Sequence, residues 1–155
     1  MNEPTELRAF SRSLPMALLR CREAVMSRFR PLLRQHGLSE QQWRILRALS
    51  AAGPLRAGNL AQSTLLSSPS LSRLLKSLSE RELIRRTASA DDLRAATISI
   101  SAKGRRLVAR IAPQSEVIYA GIGGDIGSAE LDDLYALLDD ATRRLGPAAP
   151  AEDDS

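Results

Sequence analysis

Apolar residues recur along this chain at two different spacings. Leu14, Leu18, Val25, Phe29, Leu32 and Leu33 share one face at about 100° per residue, which predicts a long amphipathic helix. It opens at Ser13-Leu14-Pro15, where the missing proline N–H costs little, and closes near His36-Gly37. Ser39 with Gln42 forms a capping-box pair ahead of Trp43, Leu46 and Leu49, so a second helix is expected to stop at Ala52-Gly53-Pro54. A short third helix covers Arg56 to Ser63. Ser67-Ser68-Pro69 starts a fourth that runs to about Arg81, with Leu71, Leu74, Leu75 and Leu78 as its apolar stripe. The period then falls to two. Residues 83–87 and 97–100 alternate as paired strands, and the polar stretch from Ala88 to Ala96 is read as their charged tip. Ser101 caps a long helix through Leu107 and Ile111, expected to kink near Pro113 and to end among Gly121, Gly123 and Gly124. A last helix from Ser128 to Leu145 carries Leu131, Leu134, Leu137 and Leu138 on one side. The tail from Gly146 to Ser155, rich in Pro, Ala and acid, is expected to be disordered.

Three short helices followed by a two-stranded hairpin give the order of a winged helix-turn-helix, with further helices outside it. The expected fold is mainly α with a small β-hairpin (α+β). At 155 residues one folded unit is anticipated, spanning 1–155. Its winged lobe would occupy 38–103, with dimerisation helices at 13–36 and 104–145.

The charge distribution changes this picture. From Leu55 to Arg110 there are eleven cations and four anions, so this segment holds +7 of a net +4 and the remainder is negative. Such segregation favours a polyanion as partner, because each neutralised phosphate releases counterions. A single cysteine, Cys21, cannot form an intrachain disulfide or a Cys-rich zinc site, and no metal or cofactor is implied. The sequence has no run of about 20 apolar residues and no signal pattern at Met1-Asn2-Glu3-Pro4, so a soluble, cytoplasmic protein without membrane contact is expected. One histidine, one cysteine and no glycine-rich phosphate loop argue against an enzyme.

On the fourth helix Ser70, Arg73, Lys76 and Ser77 project opposite the leucine stripe. Arginine can pair bidentately with a guanine edge, lysine takes phosphate, and short hydroxyl residues permit close approach. Ser67 and Ser68 sit at the helix N-terminus, which favours a phosphate oxygen. Arg94 on the hairpin could enter a narrow minor groove, with Asp92 holding it or the turn. An ordinary solvated face and a surface turn are the alternatives, as is a winged helix that binds a protein.

The first helix contains an anomaly. Arg22 falls among Phe29, Leu33 and Met26 inside the apolar stripe, and His36 lies on the same face. A buried guanidinium needs a partner. One reading makes Arg22 the anchor of a ligand carboxylate, with Met26, His36 and Trp43 walling an aromatic ring and Arg47 as a second anion contact. The other is a structural ion pair or a side chain snorkelling to solvent. Cys21 beside Arg20 and Arg22 offers a competing thiol switch, although a small hydrophobe at a core edge describes it as well.

Three segments together resemble the MarR family of bacterial transcriptional regulators: Ser67-Ser68-Pro69-Ser70-Leu71-Ser72-Arg73-Leu74-Leu75, Asp92-Leu93-Arg94, and Ile100-Ser101-Ala102-Lys103-Gly104. The segments from Arg22 to Met26 and from His36 to Arg44 are similar to its homoprotocatechuate-regulator branch. The resemblance implies a homodimer on a pseudo-palindromic double-stranded DNA operator, with Ser72 among the DNA contacts. It also implies repression of aromatic-acid catabolic genes and release by a small aromatic acid. Two departures stand out. Glu82 replaces the glycine that usually ends the recognition helix, so that helix is expected to end differently, and Ala95 replaces a second basic residue in the wing.

Overall fold

The computed structural model describes residues 5–89 and 92–148, with backbone alone for Ser89 and residues 92–95. After a short 3-10 turn at Phe10–Arg12 come α1 (Leu14–Gln35), α2 (Glu40–Ala52), β1 (Leu55–Arg56), α3 (Ala57–Thr64), α4 (Ser68–Glu80), β2 (Ile84–Ser89), β3 (Asp92–Ile100), α5 (Ala102–Ile126) and α6 (Ser128–Leu145). The capping box at α2 is complete: the Gln42 N–H donates to Ser39 Oγ, and the Ser39 N–H donates to the Gln42 side chain. Hydroxyls also cap α4, through Ser67, and α5, through Ser101.

Three helices end in the same turn. At the ends of α1, α3 and α4 Gly37, Leu65 and Glu82 take a left-handed conformation, and two backbone bonds close back onto the last turn: Leu38 to Leu33 and Gly37 to Arg34, Leu66 to Ala61 and Leu65 to Gln62, Leu83 to Leu78 and Glu82 to Ser79. Only the first turn has glycine at the left-handed position. Leu65 and Glu82 adopt φ of 55° and 58° without it. The expectation that Glu82 would make α4 end differently is therefore corrected. Burial of Leu78 and Leu83, which anchor either side of the turn, holds Glu82 in place.

The sheet has three strands in the order β1-β3-β2 rather than two. Leu55 and Arg56 pair antiparallel with Ile98 and Thr97. Two residues are too few for alternation to be legible, so this strand was not anticipated. β2 pairs with β3 through Ile84–Ile100 and Arg86–Ile98, with a register irregularity between Thr87 and Ser89. Pairing reaches Ser89 and Asp92, so most of the stretch expected as a tip is strand.

The core joins α1 to α5 and the sheet: Leu33 from α1, Ile45, Leu46 and Leu49 from α2, Leu60 from α3, Leu75 and Leu78 from α4, Ile98 from β3 and Ile111 from α5 are each at most 1% exposed. Gly104 allows a close backbone approach. A Cβ there would overlap the Leu83 carbonyl oxygen and lie 2.8 Å from Ile100 Cγ1.

α5 runs unbroken through Pro113 and through all three glycines expected to end it, and Gly127 ends it instead. Ile122 is buried between those glycines, and a Cβ on Gly123 would lie 3.8 Å from Leu131 of α6. Packing there outweighs the roughly 1 kcal/mol helix penalty of each glycine. α6 itself buries no residue.

Candidate nucleic-acid interface and effector site

The leucine stripe of α4 is turned into the core, leaving Ser68, Ser72, Arg73 and Lys76 exposed on the opposite side. Arg73 donates to Ser70 Oγ at 3.1 Å, which draws its guanidinium toward the N-terminal half of the helix. Two of the anticipated contacts have intrachain roles. Ser67 is 7% exposed and accepts the Ser70 N–H at 3.2 Å, so its hydroxyl caps the helix rather than facing a phosphate. Ser77 is half-buried and accepts a hydrogen bond from the Gln42 amide at 3.1 Å, tying α4 to α2. The side chains of Asp92 and Arg94 lie outside the described residues.

Several cations of this segment are engaged within the chain. Arg81 donates to the carbonyls of Gly37 at 2.7 Å and His36 at 3.3 Å. Arg105 donates to the Ile100 carbonyl, and Lys103 lies 3.5 Å from the Glu82 carboxylate. Arg56, Arg73, Lys76, Arg85 and Arg86 are all exposed. The lobe therefore keeps a positive surface after these intrachain contacts are taken out.

The anticipated effector residues divide into two groups. Arg22 is not buried: its side chain is 43% exposed, and the buried residues of α1, Phe29, Leu32 and Leu33, all lie in its last third. It donates to Glu40 at 2.7 Å and to Glu23 at 3.1 Å. Arg30, two turns on, donates to Glu23 at 2.7 Å and to Glu40. Met26 lies between these arginines on the same face of α1 and is half-buried. On α2, the residues at positions 40, 43 and 47 share a face, so half-buried Trp43 and exposed Arg47 follow Glu40 along it. His36 is placed elsewhere. It faces a hollow of about 320 Å³ with Arg81, Lys103 and Arg110, so the sharing of a helical face with Arg22 did not bring the two together.

The charge network of Glu23, Arg30, Glu40 and Arg44 was not identified from sequence. Its signal was the question of which acid would satisfy Arg22, and Glu40 in the first turn of α2 was the available answer. Burial acts to raise the Glu40 pKa, but hydrogen bonds from Arg22 and Arg30 and their charges outweigh it and hold the carboxyl below its ordinary value. Arg44 donates to the Thr64 carbonyl at 2.9 Å. Burial and the Arg22 charge lower its pKa, against the opposing pull of Glu40. Cys21 is exposed and borders a shallow apolar groove between α1 and α5 with Val25 and Ile122.

Residues 36–95 match the model of the MarR family. The chain is 35% identical over 128 residues to the homoprotocatechuate degradative operon repressor of Escherichia coli, covering 83% of this chain and 86% of that one. It is 33% identical to the HTH-type transcriptional regulator FarR of Neisseria gonorrhoeae, over 81% and 88% of the two chains. Among solved structures, transcriptional regulator PA4135 superposes with a TM-score of 0.81 at 34% identity, covering 87% of this chain and 98% of its own. NadR in complex with 4-hydroxyphenylacetate superposes with a TM-score of 0.75 at 31% identity, covering 86% and 100%.

Proposed function

The chain belongs to the MarR family of transcriptional regulators, and from that premise we propose that it is a homodimeric repressor of aromatic-acid catabolic genes, released from its operator by a small aromatic carboxylate. The observation that carries the DNA reading is the exposed Ser68, Ser72, Arg73 and Lys76 face of a helix whose other side is locked into the core. Ser70 joins it at the N-terminal end, Arg73 and its neighbours read base edges, and Asp92 with Arg94 places the wing in the minor groove.

The effector reading rests on Arg22 standing half-exposed beside the α2 face that carries Trp43 and Arg47. Homoprotocatechuate in one relative's name and 4-hydroxyphenylacetate in one neighbour's structure are both hydroxylated arylacetates. A ligand of that class would exchange its carboxylate for Glu40 on Arg22, with Arg47 as second cation and Met26 and Trp43 against the ring. His36, turned to another hollow, is left out of this site. A ligand shifts DNA affinity only through different affinities for the two protein states, and a site joining α1 to α2 has that leverage.

The test is titration of a duplex selected by the protein from random sequence. Binding should fall by about three orders of magnitude between low and moderate salt. Arg73→Ala with Arg94→Ala should abolish it, and Arg22→Ala should bind normally while resisting release by 4-hydroxyphenylacetate. Salt-insensitive binding, or parental affinity in the Arg73→Ala/Arg94→Ala double variant, would overturn the DNA reading. Equal release of parent and Arg22→Ala would remove Arg22 from the effector site.

A further inference from the structure

The two ends of α4 are held by different means. At its N-terminus Ser67 caps the helix and Leu71 is buried in the core. At its C-terminus three other helices take hold. Gln42 of α2 donates to Ser77 at 3.1 Å, and Ser101, the cap of α5, donates its hydroxyl to the Glu82 carbonyl at 2.6 Å. The Arg81 guanidinium reaches across 44 residues of sequence to the Gly37 carbonyl at 2.7 Å and to the His36 carbonyl at 3.3 Å. These two carbonyls lie at the end of α1, where the helix dipole leaves partial negative charge and where a fork of N–H donors fits two neighbouring oxygens. A Cβ on Gly37 would lie 3.5 Å from Arg81 Nη2, so the guanidinium is seated against the turn.

We propose that Arg81 is a positioning residue that fixes the tilt of the recognition helix relative to α1, and so sets the separation of half-sites the dimer accepts. This rests on the operator-binding reading. A helix of 13 residues is about 20 Å long. Pinned at one end, it moves its far end by roughly 3.5 Å for a tilt of about 10°, which matches the 3.4 Å step of one base pair. The N-terminal end, carrying Ser68, Ser72 and Arg73, lies farthest from the Arg81 contact and so moves most for a given tilt. Arg81 touches no base in this scheme. It acts through the placement of residues that do.

The experiment uses the full chain and the duplex it selects from random sequence, remade with one base pair added to or removed from the spacer. The parent should prefer its selected spacing at least about tenfold. Arg81→Met keeps the apolar stem and removes the fork. It should bring the three spacings within about threefold of one another while leaving the salt dependence unchanged. Arg81→Lys reaches one carbonyl without bridging both and should restore part of the preference. It also carries the comparison should Arg81→Met fail to fold. Parental discrimination in Arg81→Met overturns the proposal. So does an equal loss at all spacings with a shallower salt dependence, which would make Arg81 a phosphate contact. Absence of salt-dependent DNA binding by the parent would instead defeat the operator reading. In that event hydrogen exchange keeps the positioning claim testable without DNA: Arg81→Met must speed exchange at 36–38 and in the last turn of α4 together, and unchanged exchange overturns it.

Discussion

Leu65 and Glu82 sit in backbone geometry that favours glycine, each closing a helix whose flanking residues are buried. The left-handed conformation costs an L-residue about 1–2 kcal/mol, offset in part because glycine would have more freedom to lose on folding. Leu65→Gly and Glu82→Gly should each raise stability by about 0.5–1 kcal/mol, measurable by urea denaturation. The Glu82 change also removes the pairing with Lys103, which at 53% and 81% side-chain exposure contributes little. Destabilisation by either glycine would show that the side chain does more at that turn than the backbone loses. Glu40 yields a second expectation. Its carboxyl is held below the ordinary 4.5, so the stability it contributes is present above that value and lost as pH falls through the depressed one. Glu40→Gln should melt below the parent at about pH 7, and the gap should narrow as pH falls through the depressed carboxyl range. A gap that persists in acid would mean the carboxylate charge is not what Arg22 and Arg30 require.

Among the elements, those with long periodic stripes or a paired cap were legible in sequence. α1, α2, α4 and α6 fall within a residue or two of where spacing placed them. The failures have a common physical origin in tertiary contact. β1 exists because Leu55 finds Ile98, a partner 43 positions away. α5 passes its glycines because Ile122 and the neighbouring α6 secure the helix from outside. Arg22 stands on the helix face shared with Met26 and Arg30, but no helical wheel reveals that α1 buries residues only in its last third. Ser67 and Ser77 were read as part of a solvent-facing surface, while capping and the α2 contact claim their hydroxyls. Gly104 shows how narrow such tolerances are, since α5 starts flush against the Leu83 carbonyl. Gly104→Ala should destabilise the fold by about 1–3 kcal/mol, a fall of several degrees in Tm on thermal melting. A Tm within a degree of the parent would imply that the α5 start can shift freely.

At the scale of the molecule, apolar side chains stand exposed along α1, α5 and α6: Leu14 and Leu18, Val117 and Ile126, Leu137 and Leu145. α6 contributes no buried residue, so within one chain it gains little from packing. A second copy interlocking these helices is the occupant the proposed dimer supplies, setting two recognition helices about 34 Å apart on one face of DNA. Leu18→Glu with Leu137→Glu should yield monomers in sedimentation equilibrium and lose cooperative operator binding. A double variant that remains dimeric would move the interface elsewhere. The unsheltered state of α6 also bears on how the regulator behaves when scarce. Below the dimer dissociation constant, operator occupancy would follow the square of chain concentration, and each unpaired chain would offer proteases an unprotected helix. Dilution during cell growth would then remove the repressor faster than in proportion, giving its promoters a threshold rather than a gradual response.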